Sequence, residues 1–196
     1  MIRNLAADVG GFTSNAFLVA GDDPDARTVL VDPGNEFDVV SRVEAAIDGL
    51  DAVVLTHTHA DHIGNVDAVV EAFDVDVWGY NPDHPLVDHA LADEEDTRLG
   101  GHDYRVLHTP GHKDDHVCLI RGDGAVVFAG DLVFADGGFG RTDLEEGDRA
   151  RLIDSIERLL ASTDERLQEL HAGHGPSVHR DAREHVELAL RAARTY

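Results

Sequence analysis

The segment Thr56-His57-Thr58-His59-Ala60-Asp61-His62 places three imidazoles and a carboxylate within six residues, His57 to His62. It follows the apolar run Ala52-Val53-Val54-Leu55 and precedes a helical stretch starting near Ile63. In an extended chain residues i and i+2 project to the same side, so His57 and His59 can converge on one ion. Asp61 and His62 fall where the chain turns into a helix, and they point differently. Two ligand pairs facing different ways from one loop suit two adjacent metal ions. Neutral imidazole and carboxylate are donors that zinc and similar ions take, at about 2.0–2.2 Å. A solvated histidine-rich turn would have no need of this position at a strand's C-terminal end.

Three more residues complete the constellation. His112 lies in His108-Thr109-Pro110-Gly111-His112, Asp131 in Phe128-Ala129-Gly130-Asp131, and His174 in His171-Ala172-Gly173-His174-Gly175-Pro176. Each follows an apolar strand candidate and neighbours glycine, where backbone can approach a site closely. One such histidine alone would be an ordinary loop residue; the shared placement gives the three their weight.

The elements that must position these groups are short. Strands are predicted at Asn15–Ala20, Thr28–Val31, Ala52–Leu55, Val75–Trp78, Tyr104–Leu107, Val117–Ile120 and Ala125–Ala129, with another short strand before His174. Helices are predicted at Asp38–Asp48, Ile63–Phe73, Asp148–Leu160 and Arg180–Arg194; the last two carry Leu152, Ile156, Leu159 and Val186, Leu190 at helical spacing. Strands gathered into sheets with helices outside them imply a layered α/β domain. No repeat or low-complexity linker is evident, and a single domain over residues 1–196 is expected.

The composition narrows the class further. The chain has 39 Asp plus Glu against 16 Lys plus Arg, a formal charge of −23, and its only lysine is Lys113. Such self-repulsion is largely screened at about 1 M salt, where the Debye length is about 3 Å. With 42% hydrophobic residues in short apolar runs, a core is available, and the charge reads as a solvated acidic surface suited to a halophilic setting. No basic footprint for nucleic acid is present, no apolar run reaches the ~18 residues of a membrane helix, and no signal-peptide h-region follows Met1. The single cysteine, Cys118, excludes an intrachain disulfide and reads as a small core hydrophobe. A cytoplasmic protein is expected.

The order His57-x-His59-x-Asp61-His62, then His112, Asp131 and His174, resembles the metallo-β-lactamase superfamily, glyoxalase II-like branch. Val31-Asp32-Pro33-Gly34 is similar to the family's first motif, in which the aspartate is structural. The resemblance runs from about Asn15 to Pro176. It implies an α/β fold, a four-layer αββα sandwich, with the site at the sheets' edge. It implies that His57, His59 and His112 bind one metal, that Asp61, His62 and His174 bind a second, and that Asp131 bridges them. Two divalent ions are thus expected, zinc foremost, with iron or manganese as alternatives.

Departures within the superfamily narrow the activity. The commonest zinc β-lactamases have a cysteine ligand where Asp131 stands, so antibiotic hydrolysis is not expected. Flavo-diiron proteins carry Glu where His59 stands, and the nucleases need a further domain. The segment Gly140-Arg141-Thr142-Asp143-Leu144 is similar to one in glyoxalase II and the persulfide dioxygenases. Full-length glyoxalase II adds a helical glutathione-binding domain, for which this chain is too short, so the thiol carrier stays open. The expected reaction is thioester hydrolysis by hydroxide generated at the metal, where the pKa of water falls from about 15.7 toward about 7. Asp61 would accept the water proton. Thiolate leaves without a strong general acid, because its conjugate thiol has a pKa near 8.5. The alternatives are a mononuclear non-haem iron persulfide dioxygenase using His57, His112 and Asp131, a lactonase, or a non-enzymatic metal-binding module.

Other residues carry weaker expectations. Arg141 offers a planar fork to a substrate carboxylate or forms a surface ion pair. Lys113 could contact substrate, with solvent exposure the alternative. Tyr80 and Phe139 line the pocket or simply pack. His116 falls four residues beyond His112, as a partner that orients a ligand would. His84, His89, His102, His179 and His185 read as surface residues. The partner is a small-molecule substrate, neither nucleic acid nor membrane, for a monomer or homodimer.

Overall fold

The computed structural model describes residues 1–23 and 25–195. They fall into two compact units: the first comprises Met1–Leu91 with Thr97–Asp103, and the second comprises Ala92–Asp96 with the chain from Tyr104 onward.

The first unit holds a mixed six-stranded sheet, in the order β1 (Ile2–Asn4), β2 (Phe17–Val19), β3 (Val29–Val31), β4 (Ala52–Val54), β5 (Asp76–Gly79) and β6 (His89–Ala90). The first two pairings are antiparallel and the next three parallel. β2, β3 and β4 are buried at every residue, which is why they read as continuous apolar runs rather than alternating ones. Leu18, Leu30, Val53 and Val77 from this sheet, and Leu55 just past β4, pack with Val39 and Val43 of α1 (Val39–Glu44) and with Val66 and Val69 of α3 (Val66–Phe73). A one-turn helix, α2 (Ala60–Ile63), precedes α3.

The second sheet has the order β11 (Glu169–Ala172), β10 (Val126–Gly130), β9 (Val117–Arg121), β8 (His102–His108) and β7 (Asp96–Leu99). β10 pairs parallel with β11 and antiparallel with β9, which pairs antiparallel with β8. Leu152, Ile156 and Leu159 of α4 (Arg149–Ser162) and Val186 and Ala189 of α5 (Ala182–Thr195) cover it, with Leu107, Cys118, Ile120, Val127 and Leu170 beneath. A 3-10 turn, Ala135–Gly137, packs on α5.

Several local features depart from the sequence reading. The helix expected over Ile63–Phe73 is two helices, because Gly34 captures the junction: its N–H donates to the His62 carbonyl at 3.0 Å and its carbonyl accepts from Asn65 N–H at 3.0 Å. The helix therefore begins at Ala60 rather than near Ile63. The first expected helix stops at Glu44, short of Asp48. β1, β6 and β7 were not foreseen: β6 is two exposed residues, and β7 is Asp-Thr-Arg-Leu, charged at alternate positions. The six non-glycine residues with left-handed φ among those described are all acidic: Asp32, Glu36, Asp74, Glu94, Asp136 and Asp181. Asp tolerates that region because its short side chain bonds locally.

α4 starts at an aspartate cap. Asp148 Oδ1 accepts from the Ala150 and Arg151 amides at 2.9 and 3.1 Å, while the Asp148 amide donates to the Gly111 carbonyl at 2.8 Å. The cap thus fixes both the helix and the loop bearing His112. Asp148→Ala is expected to lower stability by about 1 kcal/mol, read as an earlier urea midpoint with unchanged slope.

Candidate metal centre

In the first unit the donors sit at the C-terminal ends of the parallel strands β3 and β4. Asp32, leaving β3 with φ 53°, donates its amide to the Val54 carbonyl at 3.0 Å. Its carboxylate is buried and fully engaged. Oδ1 accepts from the Thr56 amide at 2.8 Å, and Oδ2 accepts from Thr56 Oγ1 at 2.7 Å and from His62 Nδ1 at 2.9 Å. Because the Thr56 hydroxyl hydrogen is committed to Asp32, its oxygen accepts from His57 Nδ1 at 3.1 Å. Both histidines therefore carry their proton on Nδ1 and keep the Nε2 lone pair, the form in which imidazole ligates metal. His57 Nε2 lies 3.1 Å from His59 Nδ1, and the His57 and His62 ring centroids are 4.0 Å apart. Asp61, at the first turn of α2, keeps Oδ2 4.0 Å from His62 Nε2 and ties its carbonyl to the Ser14 amide at 3.1 Å. His57, Asp61 and His62 are buried and His59 is half-buried.

The second unit repeats the device at β10 and β11, also a parallel pair. Asp131 follows β10, and the Gly173 amide donates to the Gly130 carbonyl at 2.7 Å, setting His174 beside it. Asp131 Oδ2 lies 3.4 Å from His112 Nε2 and 3.5 Å from His174 Nε2. His112 Nδ1 donates to the Arg141 carbonyl at 2.8 Å, again leaving Nε2 with its lone pair. The Asp131 amide donates to His116 Nε2 at 2.9 Å, and His116 Nδ1 donates to Thr109 Oγ1 at 2.8 Å. His116 is fully buried and neutral in this arrangement, since Nε2 accepts. It positions the backbone of Asp131, as the spacing from His112 suggested.

Close approach is needed at Gly140. A Cβ there would fall 2.0 Å from the Asp131 carbonyl oxygen and 2.9 Å from His112 Nδ1. Gly140→Ala is therefore expected to displace both donors, lowering metal content by atomic absorption and costing about 1–3 kcal/mol of stability.

The residues assigned to substrate behave differently. Arg141 is exposed, and its fork is bidentate on Asp143, with both N···O distances 2.9 Å; this pair holds the Asp143 carboxyl low, at about 2. Lys113 is largely covered and bonds Glu146 Oε1 at 2.6 Å, so solvent exposure does not describe it. Tyr80 is half-buried just past β5. Phe139 is half-buried and lies under the Arg149 guanidinium, 4.2 Å from its ring centroid. Cys118 is fully buried in β9 and its thiol is pushed up to about 12 by desolvation, as a core residue. Of the histidines expected at the surface, His89, His102 and His179 are exposed, and His84 and His185 are half-buried. His185 Nδ1 accepts from the Asp136 amide at 2.8 Å. Sequence reasoning did not single out His171, which is buried with Nδ1 3.0 Å from Ser177 Oγ; only its place on an apolar strand, two residues from Glu169, could have marked it.

The donor set fits a metal: imidazoles whose Nδ1 is held by a hydrogen bond, together with carboxylates, present in each unit. Comparison with known proteins agrees. Residues 9–174 match the metallo-beta-lactamase superfamily, and the chain belongs to that family and has its αββα fold. Relatives that it matches are named as hydrolases. The chain is 34% identical over 191 residues to hydroxyacylglutathione hydrolase GloC of Haemophilus influenzae, covering 85% of this chain and 88% of that one. It is 34% identical to the hydroxyacylglutathione hydrolase of Chromohalobacter salexigens, but spans only 64% of that protein's length. Among solved structures it is similar to ETHE1 from Myxococcus xanthus (28% identity, TM-score 0.79, covering 100% of this chain and 90% of that one). It is also similar to TTHA1623 in a di-iron-bound form (32% identity, TM-score 0.74, covering 98% and 96%). The third is BLEG-1 B3 metallo-beta-lactamase (30% identity, TM-score 0.76, covering 91% and 93%). No helix among the described residues is long and apolar enough to cross a membrane.

Proposed function

We propose that this protein is a binuclear metal-dependent thioester hydrolase of the hydroxyacylglutathione hydrolase kind. His57, His59 and His112 would hold one divalent ion, Asp61, His62 and His174 the other, and Asp131 would bridge them. The observation that carries the reading is the orientation of the imidazoles: His57, His62 and His112 each have Nδ1 committed to an acceptor, which leaves Nε2 for an ion. Ions held by such donors supply acidity to water, lowering its pKa toward about 7, and polarise a carbonyl oxygen. The chain's own part is to fix the donors, to take the water proton at an Asp61 carboxylate oxygen, and to let a thiolate leave unprotonated, its thiol pKa being near 8.5. Arg141 already grips a carboxylate in fork geometry at Asp143, and a substrate carboxylate could exchange for it; Lys113 and Tyr80 are the other proposed contacts. Zinc is the first candidate metal, and the similarity to a di-iron structure supports iron as an alternative.

A second reading uses His57, His112 and Asp131 as a two-histidine, one-carboxylate set for a single iron reacting with O₂ and a persulfide; the 3.4 Å between His112 Nε2 and Asp131 Oδ2 is compatible with it. Metal content followed by S-lactoyl thioester hydrolysis separates the two. Two zinc-like ions per chain with thioester turnover are expected; one iron with persulfide-dependent O₂ uptake supports the second reading. A dimetal form that leaves every thioester intact overturns the proposal, and turnover of a lactone or a β-lactam in its place would redirect it.

A further inference from the structure

The hairpin that carries His174 has another group of donors at its root. β11 leaves with Glu169 and His171, and the chain returns through Ser177 and His179, joined by the bridge between Leu170 and Val178. Residues 169 and 171 share one face of the strand. His171 Nε2 lies 3.4 Å from Glu169 Oε2, and His179 Nδ1 lies 3.7 Å from the same oxygen. Donors on a tetrahedral ion at about 2.0–2.1 Å stand about 3.3–3.4 Å apart, so two edges of such a site are nearly formed. The two imidazole centroids are 5.9 Å apart, so the third edge is open, and His179, 68% exposed and paired to Glu169, has to turn toward His171 to close it. The Ser177 hydroxyl, 3.0 Å from His171 Nδ1, turns Nε2 toward Glu169 as an outer partner turns a ligating imidazole.

We propose that Glu169, His171 and His179 form a separate site for one divalent transition-metal ion of the zinc class, at the root of the His174 hairpin. Two imidazoles and a carboxylate are a zinc donor set with a fourth position left for water. Calcium and magnesium, which take oxygen, are poor matches. Burial against Phe128 pushes His171 down to about 4, so it presents a neutral imidazole to the ion at neutral pH. Arg121, whose charge reaches His171, is engaged by Asp123 at 2.9 Å. Bound there, the ion ties the returning segment to β11 and steadies the loop between them.

The test is a zinc titration of the metal-replete protein by calorimetry, with bound zinc counted after gel filtration. The wild-type protein is expected to take one more equivalent than His179→Gln, whose exposed position leaves folding unaffected. Ser177→Ala keeps all three donors and is expected to hold that equivalent about 10–100-fold more weakly. Equal stoichiometry and heat in the wild type and His179→Gln would overturn the site; unchanged affinity in Ser177→Ala would overturn the orienting role of Ser177. Because the comparison subtracts ions held elsewhere, its outcome is independent of the paired centre.

Discussion

Replacement of Asp131 by alanine is expected to abolish thioester turnover and to lower the metal content of the purified protein. The carboxylate is buried, with Oδ2 3.4 Å from His112 Nε2 and 3.5 Å from His174 Nε2. Removing it would delete one of the two carboxylates, with Asp61, that are proposed to balance divalent ions among neutral imidazoles. The loss should exceed the roughly 10–100-fold that an outer partner of a ligand commands. His116→Gln makes the graded comparison: it alters the acceptor of the Asp131 amide and the contact to Thr109 Oγ1 but removes no proposed metal donor, so its effect should fall within that smaller range. Activity assays and metal analysis on the same preparations check both. Full activity in Asp131→Ala would refute the bridging role.

Asp32→Asn should impair metal binding without placing any ligand at fault. Asp32 accepts three hydrogen bonds, from the Thr56 amide, the Thr56 hydroxyl and His62 Nδ1. Asparagine tolerates the same left-handed backbone, so the change is confined to the side chain. With its NH₂ group toward His62, two donors face each other, and the imidazole must move its proton to Nε2 and lose the metal lone pair. With the amide reversed, the NH₂ faces the Thr56 amide. Either way a buried donor lacks an acceptor, at about 1–3 kcal/mol. Zinc affinity should fall about 10–100-fold, and the urea midpoint should fall with it. A variant that keeps wild-type affinity would show that His62 is not held through Nδ1.

The first half of the centre was legible because it is local: His57, His59, Asp61 and His62 come from one strand end and one helical turn. His112, Asp131 and His174 were legible through glycine and an apolar strand before each. The supporting contacts were less so. His116 gave only its spacing from His112, since its role depends on meeting an amide fifteen residues away. Gly140 is one of 19 glycines, and nothing local says that its missing Cβ makes room for Asp131 and His112. The strands that were foreseen each contain an apolar run; β1, β6 and β7 lie where pairing, not composition, fixes the conformation. The helix after His62 was misread because its break comes from hydrogen bonds to Gly34, thirty residues upstream of Gly64.

The fully buried cysteine has a practical consequence for following the molecule in solution. Cys118 is the only thiol, in β9 of the second sheet, and Trp78 is the only indole, in β5 of the first. A thiol closed off to this degree reacts with an alkylating reagent only when its strand opens, so its labelling rate clocks the opening of the second unit. The indole, flanked by the Arg27 guanidinium at 4.7 Å and the His89 ring at 4.5 Å, reports loosening of the first through its emission. Each unit thus carries one native probe. Whether the two open together or in sequence can be timed without adding a dye or mutating a residue.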